Sequence, residues 1–235
     1  IFDRIRADAG LMTTIERAVL TIPGVERVLR KDRLSDRSSD PIVRAAALTN
    51  FEGRSGDLIH RFDGEPGDFQ GAAIADAGDT DGDRVHDIIT GGPGNDTATT
   101  PGVAHLYSGR TGRLLRLFRG RELNDQLGAA VASAGDQDGD RRADVLIGAP
   151  GVDARGADSG RAYVYGGGRH FRLLRRLDAG DAGDAFGAGT DWTPDATGDR
   201  VPDLIVGAGS AGPQQNGAVY LFSGRSGRER WRALA

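Results

Sequence analysis

Short apolar segments, separated by glycine-rich turns, recur along most of the chain in a fixed order. Each unit opens with an apolar or glutamine residue and a glycine, followed by small residues, an acidic loop, a continuous apolar run and two further short segments. The small-residue runs occupy residues 72–77, 129–134 and 188–193, and the apolar runs occupy residues 88–89, 145–147 and 204–206. This pattern predicts four short antiparallel strands in every unit.

The length of the repeat identifies the architecture. The acidic loops begin at Asp79, Asp136 and Asp195, so their periods are 57 and 59 residues. Four strands per period of this length are typical of a β-propeller blade. We therefore predict an all-β propeller segment with half a blade at residues 45–63 and blades at about residues 64–120, 121–177 and 178–235. Because three and a half blades cannot close a ring, remaining blades or a second copy are expected partners.

Residues 1–44 do not follow the repeat. Apolar residues at positions 11, 12, 15, 18 and 19 have helical spacing, and residues 25–29 alternate like a short strand. The polar residues 32–41 are typical of a linker, so a small α/β segment is expected before the propeller. The chain begins with Ile1 and shows no signal peptide, which indicates a fragment or a processed product.

Composition narrows the function classes. The 235 residues include 34 acidic and 30 basic ones, and a net charge of −4 gives no electrostatic case for nucleic-acid binding. The chain has no cysteine, which rules out disulfides and thiolate metal sites. No segment approaches the roughly 20 apolar residues of a membrane-spanning helix, so membrane insertion is not expected.

The acidic loops carry the candidate chemistry. Loops one and two each hold four aspartates within nine residues, and loop three has threonine in place of one of them. Carboxylates at this density repel one another unless a cation lies among them. Asp-Gly pairs also favour tight turns, but that preference does not explain four aligned carboxylates in two separate loops.

The markers around these loops resemble the FG-GAP repeat of the integrin α-chain N-terminal propeller and its bacterial relatives. Phe186-Gly187 and Gly148-Ala149-Pro150 match the two motifs that name the family, and the acidic loop is similar to its Asp-x-Asp-x-Asp-x-x-x-Asp hairpin. The resemblance covers about residues 46–235. It implies a calcium-stabilised propeller of an extracellular or cell-surface protein with interaction, adhesion or structural roles.

Calcium fits these loops because it takes 6–8 oxygen ligands, including carboxylates and backbone carbonyls. We number the loop positions 1–9 and expect side chains at positions 1, 3, 5 and 9 and the carbonyl of position 7 to bind the ion. The ligands would be Asp79, Asp81, Asp83, Val85 and Asp87 in loop one; Asp136, Asp138, Asp140, Arg142 and Asp144 in loop two; and Asp195, Thr197, Asp199, Val201 and Asp203 in loop three. Because Thr197 removes one charge, the third calcium site should be weaker than the other two.

No catalytic constellation accompanies the metal loops. The four histidines lie in different units without metal-ligand spacing, and no nucleophile elbow is present, so we predict a non-catalytic module whose partner is an unidentified protein or glycan. Residues 1–57 also resemble the C-terminal part of alkaline-phosphatase-type phosphodiesterases, although residues 53–57 match a propeller hairpin turn equally well. The alternative is therefore a non-catalytic accessory domain or C-terminal fragment of a secreted hydrolase.

Overall fold

The computed structural model describes residues 47–51, 57–64, 67–94 and 100–234, with backbone only for the first of these ranges. The chain divides into two compact units, Ile1–Pro66 and Gly67–Ala235. The helix expected at residues 11–20 and the strand expected at residues 25–29 lie outside the described residues. Among the described residues, no helix has the length and hydrophobicity needed to cross a membrane.

The described part of the first unit is an antiparallel hairpin. Strand β1 (Ala47–Phe51) pairs with β2 (Leu58–Asp63), with Ala47 opposite Asp63 and Asn50 opposite His60. A register irregularity follows at the end of β1, between Asn50 and Phe51. These strands are the ones that the sequence predicts for half a blade.

The second unit contains three four-stranded antiparallel sheets, each built from consecutive strands. The first sheet has β3 (Ala73–Gly78), β4 (Asp87–Gly92), β5 (Val103–Tyr107) and β6 (Leu114–Arg119). The second has β7 (Ala130–Gly135), β8 (Asp144–Ala149), β9 (Arg161–Tyr165) and β10 (Leu173–Leu177). The third has β11 (Phe186–Thr193), β12 (Asp203–Ala208), β13 (Ala218–Phe222) and β14 (Glu229–Leu234). Their order within each sheet confirms the all-β propeller segment that the repeat predicts.

The hydrophobic core lies between successive sheets. One buried cluster joins the first and second sheets through residues such as Ile89, Leu106 and Ile147. A second cluster joins the second and third sheets through residues such as Leu146, Val164 and Tyr220. Since alternate residues of a strand point to opposite faces, the central β8 contributes Leu146 to one cluster and its neighbours to the other.

Small residues allow the sheets to approach closely at their inner strands. Strand β7 lies beside both β3 and β11, and these strands are rich in alanine and glycine. A Cβ atom added at Gly91 would lie 1.9 Å from the carbonyl oxygen of Gly128, and one at Gly148 would lie 1.9 Å from that of Gly187. The apolar-glycine turn that opens one unit therefore lies against a glycine of the preceding sheet.

Candidate metal centres

The three acidic loops have the same place and the same backbone shape. They connect the first and second strands of each sheet, between β3 and β4, β7 and β8, and β11 and β12. The glycine at position 4 has a positive φ of 81–88° in all three loops. The arginine at position 6 has a φ of 68° or 69° in all three, a region that non-glycine residues adopt at an energetic cost. The sequence pattern did not predict this backbone strain at Arg84, Arg141 and Arg200.

The aspartate at position 1 organises each loop by accepting backbone hydrogen bonds. Asp79 accepts the amides of Gly82 at 2.8 Å and Arg84 at 2.9 Å. Asp136 accepts the amides at positions 4, 5 and 6 of loop two, at 2.6, 3.2 and 2.9 Å. Asp195 accepts the same three amides in loop three, at 2.6, 2.9 and 2.7 Å. These bonds turn the loop around the carboxylate, which leaves position 1 at the centre of the turn.

The aspartate at position 9 is buried and ties the loop to the turn between the third and fourth strands. Asp87 is 1% exposed, and Asp144 and Asp203 are fully buried. Asp87 accepts the amide of Gly109 at 3.1 Å, and Asp203 accepts that of Gly224 at 2.9 Å. In the second sheet, Asp144 accepts the amide of Gly167 at 2.7 Å.

The same buried carboxylates accept a second set of donors from the start of their own loops. The amide of Thr80 lies 2.9 Å from Asp87, and its hydroxyl donates to the same oxygen. The backbone amide of Gln137 donates a hydrogen bond to Asp144 at 2.7 Å. Ala196 and Thr197 both donate their amides to Asp203 at 2.7 Å. Each position 9 carboxylate therefore joins three backbone segments of one sheet.

The electrostatics of the loops favour a cation. Burial raises the pKa of Asp144 to about 7, although backbone hydrogen bonds from Gly167 and Gln137 act in the opposite direction and nearby Asp138 and Asp136 add to the increase. Burial also raises the pKa of Asp87. In the exposed part of loop three, the Arg200 amide lowers the pKa of Asp195, and the Ser223 hydroxyl lowers that of Asp199. A divalent ion beside Asp144 would offset the cost of its buried negative charge.

Three carboxylates converge in every loop. Their nearest oxygens lie within 4.8 Å of one another in the sets Asp79, Asp81 and Asp87; Asp136, Asp138 and Asp144; and Asp195, Asp199 and Asp203. Oxygen ligands on opposite sides of a calcium ion are about 4.6–5.2 Å apart, since each lies about 2.3–2.6 Å from it. The donor set and its spacing therefore fit a hard divalent cation.

The fourth aspartate of loops one and two lies outside these sets and pairs with arginine. Asp83 binds Arg110 of the following turn, with 2.9 Å between the guanidinium Nε and the carboxylate. Asp140 pairs with Arg142 at 3.2 Å. At position 7, Val85, Arg142 and Val201 donate their amides to the position 5 carboxylates at 2.8, 2.9 and 3.0 Å. Their carbonyls as calcium ligands stay a prediction.

Loop three replaces charge with a hydroxyl. The Thr197 hydroxyl lies 3.1 Å from both Asp199 and Asp203, so it can donate its one proton to either carboxylate of the set. Asp199 also accepts the Ser223 hydroxyl at 2.6 Å. The aspartate at position 5 therefore joins the convergent set in loop three, whereas the aspartate at position 3 does so in the other loops.

Arginines from the turn after the third strand also reach the loops. Arg110 donates to the Asp83 carbonyl at 2.6 Å, and Arg225 donates to the Asp199 carbonyl at 3.1 Å. Arg172 contacts the Asp138 carboxylate at 3.1 Å. The Ser-Gly-Arg sequence that recurs at residues 108–110 and 223–225 is the signal from which two of these contacts could have been found.

The loops also connect successive sheets. The Ala143 amide of loop two donates to the Asp79 carbonyl of loop one at 2.9 Å. Between loops two and three, the Gln137 side-chain amide donates to the Pro202 carbonyl at 2.7 Å. Anything that fixes the shape of one loop therefore also acts on the interface with the next sheet.

Comparison with known proteins agrees with this architecture. Residues 127–165 match the family model of the FG-GAP repeat. The chain is 29% identical over 167 residues to integrin alpha-V of Gallus gallus, covering 67% of this chain and 16% of that protein. It is 30% identical over 160 residues to integrin alpha-PS2 of Drosophila melanogaster, covering 63% of this chain and 11% of that protein. It is 32% identical over 146 residues to integrin alpha-4 of Xenopus laevis, covering 60% of this chain and 14% of that protein.

A solved structure with a similar fold is the Dos1 propeller, with a TM-score of 0.49 and 14% identity, covering 80% of this chain and 42% of that chain. The three sheets and their loops define a β-propeller segment. One of its repeats, at residues 127–165, matches the FG-GAP repeat, and the chain is similar to integrin alpha chains, as the sequence motifs indicated. The chain spans only 11–16% of the length of the integrin relatives, so it corresponds to a small part of each of them.

Proposed function

We propose that this chain is a calcium-binding propeller module of an extracellular or cell-surface protein, with a role in interaction, adhesion or structural support. The observation that carries the proposal is the convergence of three carboxylates in each of three equivalent loops. The similarity to integrin alpha chains supports an adhesion-type module and a location outside the cell. The partner would be a protein or a glycan.

Calcium would act on the fold rather than on a reaction. The ion would be held by the convergent carboxylates, and in loops one and two also by Asp83 and Asp140 once these release their arginines. When bound, it supplies the positive charge that the carboxylates lack. Asp144 already joins the loop to Gln137 and Gly167, so an ion that keeps it ionised would strengthen the attachment of the loop to its own sheet.

The three sites should differ in affinity. Loops one and two each offer four aspartates, whereas loop three offers three aspartates and Thr197. Calcium affinity depends strongly on the number of charged ligands. The Thr197 hydroxyl also donates a hydrogen bond to Asp199 or Asp203 without an ion. We therefore expect two stronger sites and a third weaker one.

Thermal unfolding with and without calcium tests this proposal. An ion that binds only the folded chain raises Tm in proportion to the logarithm of its concentration, and EDTA removes the effect. An Asp81→Asn/Asp138→Asn double variant should lose most of this calcium-dependent increase. Glu122→Gln provides the matched control, because it removes one exposed negative charge away from the loops. A chain whose Tm ignores both calcium and EDTA would contradict the proposal.

The role of the module can be tested separately from its ion. The calcium-loaded chain would be applied to an array of extracellular matrix proteins and cell-wall glycans. Binding that EDTA abolishes and that the Asp81→Asn/Asp138→Asn variant lacks would support a calcium-stabilised interaction module. Calcium binding without any ligand on the array would favour the structural role.

A further inference from the structure

One arginine side chain connects the second acidic loop to the third sheet. Arg175 lies on β10, the outer strand of the second sheet, and is half-buried. Its Nη1 donates to the side-chain oxygen of Gln137 in loop two at 2.9 Å. Its Nη2 donates at 2.9 Å to the carbonyl of Arg225, in the turn between β13 and β14. The guanidinium therefore lies between loop two and the turn beside loop three.

Both partners of Arg175 contact candidate metal ligands. Gln137 is position 2 of loop two, and its backbone amide donates to Asp144 at 2.7 Å. Arg225 donates from its own Nε to the Asp199 carbonyl of loop three at 3.1 Å. The charge of Arg175 is thus one residue removed from candidate ligands in two different loops.

The electrostatics agree with this position. Burial lowers the pKa of Arg175, and the carboxylates of Asp144, Asp199 and Asp138 act in the opposite direction. Asp144 and Asp138 belong to loop two, and Asp199 belongs to loop three. Because solvent and salt screen a half-buried charge less than an exposed one, Arg175 acts on the carboxylates of both loops.

The side chain of Arg175 is held in place by its surroundings. A Cβ atom added at Gly227 would lie 3.0 Å from the Cδ of Arg175, so the aliphatic part of the side chain packs on this turn. The side-chain nitrogen of Gln137 donates to the carbonyls of Ala134 and Pro202 at 2.6 and 2.7 Å. These bonds fix the Gln137 oxygen that accepts from Arg175.

Two other arginines at the loops have more freedom. Arg110 and Arg172 pair directly with Asp83 and Asp138, but their side chains are 54% and 73% exposed. An exposed arginine can turn into solvent when a cation enters the loop, at little cost. The charge of Arg175 stays beside the loops because its hydrogen bonds and its packing do not involve the carboxylates.

The first sheet has no equivalent arrangement among its described residues. The counterpart of Arg175 by strand pairing is Arg116, whose guanidinium carbon lies 6.0 Å from the centre of the Phe118 ring. Position 2 of loop one is Thr80, whose hydroxyl donates to Asp87. The same strand position therefore carries an arginine in both sheets, but only the second sheet directs it to the loops.

We propose that Arg175 sets the calcium affinity of loops two and three: its fixed positive charge weakens binding at both and leaves loop one as the tightest site. The inference rests on the calcium binding proposed above. A fixed cation repels a divalent ion at short range, which lowers affinity. In the calcium-free chain, the same charge offsets part of the repulsion among the carboxylates and stabilises the empty loops.

Calorimetric titration with calcium chloride tests this proposal in two backgrounds. Asp81→Asn weakens loop one and leaves loops two and three, whereas Asp138→Asn/Asp199→Asn leaves loop one. Arg175→Met removes the charge and keeps an unbranched side chain. It should raise calcium affinity by about 3–10-fold in the first background and leave it unchanged in the second.

Three further variants separate charge from structure. Arg175→Lys keeps the charge but loses the planar guanidinium, so the affinities should stay within about twofold of the unmodified chain. Arg175→Gln repeats the removal of charge with a polar side chain, in case methionine disturbs folding. Arg116→Met is the matched control at the same strand position and should change no affinity.

Stability in EDTA gives a second readout. Arg175→Met should lower Tm without calcium, and calcium should then raise Tm by more than it does in the unmodified chain. The proposal is overturned if neither neutral variant raises the affinity of loops two and three, or if Arg175→Lys raises it as much as they do. An unmodified chain that binds no calcium would instead contradict the proposed function itself, and this inference with it.

Discussion

Loops two and three fold to the same shape but hold that shape in different ways. In loop two, four aspartates lie within nine residues, and the buried Asp144 has a pKa raised to about 7. In loop three, Thr197 replaces one aspartate, and its hydroxyl lies 3.1 Å from both Asp199 and Asp203 and donates to one of them at a time. A neutral hydroxyl therefore stands in loop three where loop two has the Asp138 carboxylate, so loop three has less negative charge for a cation to offset. Loop three should therefore depend less on calcium than loop two.

Removal of the buried carboxylate at position 9 should cause the largest loss of folding stability. Asp203→Ala leaves the backbone amides of Ala196, Thr197 and Gly224 without their acceptor. Asp144→Ala leaves only the backbone amides of Gln137 and Gly167 without theirs. At about 1–3 kcal/mol for each buried donor left unsatisfied, partly relieved by water, we expect losses of about 4 and about 3 kcal/mol. Urea denaturation in EDTA measures both. A greater loss for Asp144→Ala under these conditions would reverse the comparison.

The second largest expected effect is the change in the free energy of unfolding of the calcium-free chain with pH. The pKa of Asp144 is about 7 in the folded chain against 3.8 as its ordinary value, so between these values the folded chain binds more protons than the unfolded chain. The free energy of unfolding should therefore fall as pH rises from about 4 to 7, by about 1–3 kcal/mol. Denaturation in EDTA at several pH values measures this slope.

Asp144→Asn provides the control for the pH slope, because it keeps the shape of the side chain without its titration. The slope should become shallower in this variant, and the Glu122→Gln variant should keep it. In the presence of calcium the unmodified chain should behave in the opposite way, since binding requires the ionised carboxylate. If the free energy of unfolding changes equally with pH in the unmodified and Asp144→Asn chains, titration of Asp144 does not cause the pH dependence.

Exchange of the position 3 residue should change calcium affinity by about tenfold. Thr197→Asp gives loop three a fourth carboxylate, and Asp138→Thr gives loop two the composition of loop three. We expect tighter binding at loop three in the first variant and weaker binding at loop two in the second, each by about 1.4 kcal/mol. Calorimetric titration of each variant resolves the change. Affinities that do not move with these exchanges would show that charge number does not distinguish the loops.

Relief of backbone strain should change the stability of the chain least, and by the same amount in loops two and three. Arg141 and Arg200 both have a φ of 69°. Glycine adopts this conformation freely, so Arg141→Gly and Arg200→Gly should each stabilise the chain by up to about 1 kcal/mol. Thermal unfolding of the two variants provides the measurement. A loss of stability at either position would indicate that the arginine side chain contributes more than its backbone conformation costs.

The repeat made the fold largely predictable. Alternating apolar and small residues around three equally spaced loops were sufficient for four strands per unit, because that period admits few other architectures. The positions of the acidic residues along the loops were also visible in the sequence. Which carboxylates converge and which pair with arginine could not be predicted. Asp83 and Asp140 pair with Arg110 and Arg142, and these contacts depend on side-chain directions that spacing alone does not determine.

The packing between sheets was only partly visible in the sequence. The predicted small residues at the inner strands agree with the close approach of β3, β7 and β11. The role of Gly91 and Gly148 could not be inferred, because it depends on a carbonyl that lies 37–39 residues further along the chain. Long-range contacts of this kind need the register between sheets, which the structure supplies.

Native mass spectrometry of the calcium-loaded chain counts the ions that the three loops hold. With increasing calcium, we predict that the chain first retains two ions and gains a third only at higher concentration. The Asp138→Thr variant should retain one ion at the lower concentration, and the Glu122→Gln control should still retain two. A chain that retains no calcium, or one in which loss of Asp195 rather than Asp138 removes a tightly held ion, would contradict the account.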